Sequence, residues 1–501
     1  MKFKLIYINN RNLLFGIIAL SINLALNLFV SPFIVRNLGV EANGYITLAN
    51  NFVSYASLIS VALNSMANRF ITLEFVSKNY ERANLYYSNV TIGNCIIGAI
   101  ITIFSIFFTN YISFFLEIPN ELIKDIKLLF LITFLTFSIT TVTSSWNIAT
   151  FLTNKLYIQS VRNIQSQFIR AASILILFYF FPIKVSFIAF SSFIAALFSV
   201  LFSLYYKKKL TPFLKASFRL FNIKTLKELV GSGIWNSVGQ MGVMLLTGLD
   251  LLIANIFLGP ESMGILALAK VLPTIISQLS STVTNVFIPQ ITLYYGDKKM
   301  EVMHNYLEKA IALSNFIITI PIALIISLGY NFYSLWVPNQ NIRLIFILCL
   351  LSLIGTIFSS GTEVLTNIFV LVNKIKINSL NIVFSGIISI IVSFVFVKYT
   401  DYGIFAIASV SSIVNVITKI VYTIPFSSKY INISWNYFYI YTFKSILSVI
   451  LISLSSFLFN NLVFTEKNDW IHFFIKGFAG VIIALIINFI IYRKVLFRRN
   501  I

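Results

Sequence analysis

The segment LGVEANGYITLA (Leu38–Ala49) recurs 220 residues later as LGPESMGILALA (Leu258–Ala269). Leu38, Gly39, Glu41, Gly44, Leu48 and Ala49 match Leu258, Gly259, Glu261, Gly264, Leu268 and Ala269. Each copy lies between two long apolar runs, so it reads as the turn of a helical hairpin. Gly39 and Gly259 are placed to take φ > 0 at a helix end. Glu41 and Glu261 then fall near the start of the next helix, where the helix dipole favours a carboxylate.

A second block repeats at an offset of 219. It pairs Thr143 with Thr362, Leu152 with Leu371, Asn154–Lys155 with Asn373–Lys374, Ile158 with Ile377 and Ser160 with Ser379. Two distant blocks agreeing in offset to within one residue indicate duplication of a whole unit. Composition says what the unit is made of. Of 501 residues, 58% are hydrophobic, 16% aromatic and only 11% charged, and the mean hydropathy is +0.89. No soluble core hides that much apolar surface. The bilayer is then the solvent, and runs of about 20 apolar residues, rather than short alternating ones, predict α-helices and not a barrel.

Fourteen spans are predicted: about 13–35, 45–68, 90–116, 128–150, 164–183 and 185–205, then 229–256, 263–293, 307–330, 344–370, 378–397 and 403–424, then 442–463 and 470–492. The chain divides into an N-terminal six-helix lobe (1–205), a basic connector (206–228), a C-terminal six-helix lobe (229–430) and two extra helices with a basic tail (431–501). Residues 1–35 read as an uncleaved first span, too long for a signal sequence. The connector mixes lysines with Phe213, Leu214, Phe218, Leu220 and Phe221, as an interfacial amphipathic helix would. Six helices separate equivalent positions, an even number. The lobes therefore share one orientation about an axis along the membrane normal, which predicts a cavity between them.

The net charge is +21, from 37 Lys and Arg against 16 acids. These charges alternate between apolar spans, as topology signals do and a nucleic-acid surface does not. Twenty-seven Lys and Arg fall on one side and eight on the other, which predicts cytoplasmic termini.

Four ionisable residues lie inside spans: Asp250, Lys270, Glu363 and Lys419. Each costs about 2.5–3.5 kcal/mol on insertion scales and so calls for a partner or a wet cavity. Asp250 and Lys270 lie at similar depth on the two arms of one hairpin, as an ion pair or as two cavity residues. Glu363, with no neutralising neighbour in sequence, is the leading candidate for proton or cation coupling, with Asp250 also a candidate; a protonated or hydrogen-bonded structural carboxyl is the other reading of Glu363. Lys419 and Arg69 lie near span ends, where snorkelling explains them as well as anion binding does. In the repeat Asp250 matches Val30 and Lys270 matches Asn50, so these charges belong to the second copy.

Catalytic signatures are missing. There is no P-loop, His304 and His472 lack metal-ligand spacing, and no nucleophile–base set marks an enzyme. No cofactor or metal is expected, and Cys95 and Cys349 read as small buried hydrophobes.

The stretch NLGVEANGYITLANNFVSYASLISVALNSMANRFITLEF (Asn37–Phe75) resembles bacterial polysaccharide flippases, the O-antigen and capsule repeat-unit translocases, whose superfamily also holds multidrug exporters and lipid II flippases. The resemblance implies a V-shaped bundle in the bacterial inner membrane. Such a bundle would move a polyprenyl-pyrophosphate-linked oligosaccharide outward by alternating access, with a proton or sodium ion and polysaccharide polymerase or assembly proteins as possible partners. Arg69, Lys270, Lys419 and Arg170 are the cations it nominates for the pyrophosphate, and Glu363 and Asp250 the coupling sites. A cation-coupled multidrug exporter and a non-transporting scaffold of a polysaccharide assembly complex stand as alternatives.

Overall fold

The computed structural model describes residues 2–153, 155–463 and 469–496, without the side chains of 2–14, 17, 20, 76 and 463. Asn154, Glu466, Lys467, Arg498 and Arg499 lie outside the described residues, as do the side chains of Lys2, Lys4 and Arg11. The described residues are all-α, with no strand. This is what a chain without water partners must do with its backbone N–H and C=O groups.

Twelve stretches are long and apolar enough to cross a membrane. Two of them fold back at a glycine. Helix α1 (Lys2–Val76) breaks at Gly39 (φ 86°, ψ 166°), and α7 (Asp250–Ala269) breaks at Gly259 (φ 85°, ψ 172°). Both glycines occupy a region closed to side-chain-bearing residues, so the repeated motif is the hairpin turn expected. The fold at Gly39 adds one pass, the arm after Gly259 runs on into Val271–Gly296 as a single pass, and with Tyr157–Phe180 added the described helices make the fourteen passes.

The chain splits into two compact units. Unit 1 is Met1–Met241 with Gly259–Gly264, and unit 2 is Gly242–Leu258 with Ile265–Ile501. In unit 1, α1 packs on α2 (Tyr80–Asn110) and α4 (Tyr157–Phe180), while α3 (Ile123–Thr143) packs between α2 and α5 (Ser186–Leu210). Asn79 caps α2 through the backbone N–H of Arg82 (3.2 Å). Asp125 at the start of α3 accepts from the N–H groups of Val185 (2.6 Å) and Ser186 (3.1 Å), satisfying the N-terminus of α5.

The connector corrects the amphipathic-helix expectation. Helix α5 runs on to Leu210, α6 (Ile223–Thr247) follows, and between them only Phe218–Leu220 forms a 3-10 turn. Side chains of α2 take the place of helical bonds. Asn84 accepts from Lys215 N (2.8 Å), Ser88 from Ser217 N (3.1 Å) and Asn89 from Asn222 N (2.9 Å), while Asn89 also donates to Leu220 O (3.0 Å). Pro212, next to Thr211, adds a backbone with no N–H to give a helix.

In unit 2, α8 (Val271–Gly296), α9 (Met300–Trp336), α10 (Ile342–Ser359), α11 (Ile375–Tyr399) and α12 (Gly403–Thr418) repeat the unit 1 pattern. The 3-10 segment Ser144–Asn147 has its counterpart in Thr362–Asn367, and Lys78 (φ 61°) has its own in Lys298 (φ 58°). The two extra helices, α13 (Tyr439–Val463) and α14 (Trp470–Leu496), belong to unit 2 and not to a separate domain. Both pack on α9, where Phe438, Tyr441 and Tyr492 join Met303, Leu307 and Ile311 in one buried core. Polar keys fix the register. Asn315 donates to Tyr441 O (3.0 Å), and Asn488 donates to Phe316 O (2.8 Å) and Thr319 Oγ1 (3.0 Å). Cys349 is buried as expected, but Cys95 is exposed. An apolar run long enough to cross a bilayer need not bury each of its residues within the protein, so its composition does not place a thiol inside.

Candidate functional site

In unit 2 the charges predicted inside spans come together as two pairs. Helix α6 ends at Thr247 and α7 starts at Asp250, whose carboxylate lies in the first turn; Lys270 is the C-cap of the same element. Each charge complements its helix end, and the fold at Gly259 brings the two ends back together. Lys270 Nζ forms an ion pair with Asp250 Oδ2, Ser411 on α12 donates to the same oxygen (3.1 Å), and Lys270 also reaches Thr247 O (3.4 Å). The Asp250 side chain is 5% exposed. The two residues are thus paired across the hairpin and largely buried.

Glu363 has the partner that local sequence did not show. Lys419 Nζ lies 3.4 Å from Glu363 Oε2 and 3.3 Å from Thr366 Oγ1. Glu363 and Thr366 stand on the 3-10 segment Thr362–Asn367, and Lys419 opens the π-helical segment Lys419–Thr423. The 3-10 segment follows the end of α10, whereas the π segment is a bulge inside the continuous helix Gly403–Tyr430; both shift side chains off regular α-helical register. Glu363 and Lys419 line a cavity of about 280 Å³ with Thr247, Ser280, Asn378 and Asn415. Glu363 is 37% exposed and Lys419 only 12%. The carboxylate therefore faces open space while the ammonium is held behind it.

Unit 1 has the opposite character. Arg170, near the middle of α4, lines two adjoining cavities of about 320 and 380 Å³ that share Thr140 and Ser192. A third, of about 430 Å³, joins them through Phe137 and Thr140. No acidic residue lines any of the three. Arg162, two turns earlier on α4, lines the first cavity beside Arg170 and donates from Nη1 to Asn147 Oδ1 and Ser203 Oγ, both at 2.6 Å. Among the described residues, the buried Nε atoms of Arg162 and Arg170 have no hydrogen-bond partner. Arg69 is exposed and lines none of these cavities.

Arg162 is the residue that sequence reasoning missed as a site, having been counted among topology charges. Its signal was present: Gln159, Arg162, Asn163, Ser166, Gln167 and Arg170 recur at helical spacing and give an otherwise apolar span one polar stripe. The repeat equivalents of Arg162 and Arg170 at offset 219 are Asn381 and Ser389, so these two charges belong to the first copy alone. Among the described residues no group of three or more His, Cys, Asp or Glu side chains is placed to hold a metal ion.

This architecture has known counterparts. A multi-pass helical membrane protein with two repeated units of six passes and two further passes has the fold of the lipid II flippase MurJ, in its inward closed conformation. The likeness has a TM-score of 0.71 at 18% identity and covers 96% of this chain and 99% of that one. It is also similar to an inward-facing multidrug resistance MATE family transporter of the MOP superfamily, with a TM-score of 0.64 at 16% identity over 82% of this chain and 94% of that one. In sequence the chain is 33% identical over 318 residues to the uncharacterized membrane protein EpsK of Bacillus subtilis (strain 168). That match spans 64% of this chain and 63% of EpsK. The chain matches no protein-family model.

Proposed function

We propose that the protein is a flippase that moves a polyprenyl-pyrophosphate-linked oligosaccharide repeat unit across the bacterial inner membrane by alternating access. The observation that carries this reading is the extent of the likeness to the lipid II flippase, 96% of the chain including the two extra helices, against 82% for the drug transporter. A lipid-linked cargo needs both a polar path for its head and apolar wall for its tail. The uncompensated arginine cavity of unit 1 and the lipid-exposed faces of α13 and α14, with Phe443, Leu454, Phe474 and Phe478 outward, supply one of each.

Ion coupling is assigned to Glu363. A proton or a sodium ion entering the cavity competes with the Lys419 ammonium for the same carboxylate, so cation binding and release of Lys419 are one event. Asp250, buried and already bonded by Lys270 and Ser411, is the weaker candidate. The test is depletion of the protein in cells that make the polymer. Unflipped lipid-linked repeat units accumulate, and wild type clears them while Arg170→Gln does not. Clearance by every cavity variant points to a scaffold, and drug efflux lost with Glu363→Gln while repeat units still reach the outer leaflet points to an exporter.

A further inference from the structure

Four cations were nominated as anion contacts, and the structure sorts them. Lys270 and Lys419 are each neutralised by a carboxylate within unit 2, and Arg69 is exposed. Only Arg170, with Arg162 beside it, faces a cavity with no carboxylate to answer it. Helix rise places Arg162 about 8 Å and Arg170 about 20 Å along α4, so both guanidiniums lie within the helical layer rather than at its rim.

Two guanidiniums in such a place without a counter-charge are costly. Asn147, Ser203 and Asn163 Oδ1 (3.2 Å from Nη2) answer part of Arg162, while the buried Nε of each arginine remains open among the described residues. What lines the rest of the cavity is neutral: Thr140, Ser166 and Ser199, whose hydroxyls donate to backbone carbonyls, and Asn163 and Gln167, whose amides carry N–H donors. A set of guanidinium and amide donors with no acid among them selects an oxyanion, and the planar fork of arginine fits phosphoryl oxygens best. We infer that the α3–α4–α5 cavity of unit 1 is a binding site for a phosphate-bearing ligand, held by Arg162 and Arg170. Phosphoryl oxygens accept from the open N–H groups of both arginines, and the neutral donors orient them. The site stands on unit 1 geometry alone; naming the head of the lipid-linked cargo as its occupant rests on the flippase reading.

The test is binding to the full-length purified protein in nanodiscs of phosphatidylcholine, with inorganic pyrophosphate as the probe. Wild type binds pyrophosphate in preference to chloride, and Arg162→Gln and Arg170→Gln each weaken it about tenfold or more, as loss of a charge-assisted bond requires. Arg69→Gln binds as wild type does. Arg170→Lys, which keeps the charge for correct insertion, retains part of the affinity and guards against misfolding as the cause. Two further arms separate the sources of the phosphate. Farnesyl diphosphate competing with pyrophosphate identifies a prenyl diphosphate, and loss of pyrophosphate binding in phosphatidylglycerol nanodiscs identifies a phospholipid headgroup. Equal affinity in wild type and both glutamine variants, or no preference over chloride, overturns the site. Failure to flip with pyrophosphate binding intact overturns the flippase reading and leaves the site standing.

Discussion

Lys419 Nζ and Glu363 Oε2 stand 3.4 Å apart, although 56 residues separate them in the chain. The ammonium is well covered and the carboxylate opens to the cavity, so solvent or a small cation reaches one partner and not the other. This asymmetry lets the pair act as a switch rather than a fixed brace.

Removing one member leaves the other without a counter-charge. Lys419→Met lowers the melting temperature of the detergent-solubilised protein, and adding Glu363→Gln restores most of it. The coupling is about 1 kcal/mol, since Glu363 is more than a third exposed and solvent screens the pair. Additive losses in the double variant would refute the pairing.

The Asp250–Lys270 pair is deeper and costs more to break. Asp250→Asn strands the Lys270 ammonium and destabilises unit 2 by about 3 kcal/mol, read as a lower melting temperature, whereas Asp250→Asn with Lys270→Met recovers part of the loss. A single variant as stable as wild type would show that the pair contributes nothing.

Gly39 and Gly259 carry their cost in the backbone. Nothing lies within 4 Å of a Cβ built on Gly39, so Gly39→Ala tests φ alone. At φ 86°, ψ 166° alanine costs about 1–3 kcal/mol, seen as reduced yield of folded protein, with Gly259→Ala showing the same loss. Wild-type stability in both variants would mean the turns tolerate a side chain.

Asn89 holds the connector by both ends of its amide. Asn89→Ala leaves Leu220 O and Asn222 N without their partner, at about 1–3 kcal/mol for each group left unsatisfied. Limited proteolysis then cuts within residues 211–222 in the variant before wild type is touched; identical cleavage rates would count against the latch.

Asp469 gives a pH signature outside the spans. The backbone N–H of His472, then its imidazole, hold the Asp469 carboxyl below the usual 3.8. Such a group adds stability above its unfolded value and loses it as pH falls through the depressed folded value. Amide exchange over the first turn of α14 therefore quickens, relative to the rest of the helix, only below about pH 4, and Asp469→Ala shows the quickened exchange at neutral pH too. A pH-independent ratio in wild type would contradict the cap.

The passes and the duplication were legible because membrane helices announce themselves by length and apolar content, and because the positive-φ glycines Gly39 and Gly259 sit in one motif repeated at the same spacing, Leu38–Gly44 and Leu258–Gly264. Asp250 and Lys270 were placeable as neighbours since one hairpin carries both. Glu363 and Lys419 were not, because their contact depends on a 3-10 and a π segment that no periodicity marks. The connector misled for a physical reason: its basic and aromatic residues suit an interfacial helix, yet Asn84, Ser88 and Asn89, over 120 residues away, supply the hydrogen bonds instead. Arg162 was visible as a charge, but counting it toward topology hid the polar stripe it belongs to.

The central claim is translocation of a lipid-linked oligosaccharide. Its most direct test is purified protein in sealed proteoliposomes carrying a polyprenyl-pyrophosphate-linked oligosaccharide in both leaflets, with an impermeant glycosidase outside. Protein-free vesicles lose only the outward-facing pool. Vesicles with wild type are predicted to lose nearly all of the label, and those with Arg162→Gln and Arg170→Gln to behave as if empty. Protection of the inner pool in wild-type vesicles, under a pH or sodium gradient of either sign, would contradict the account.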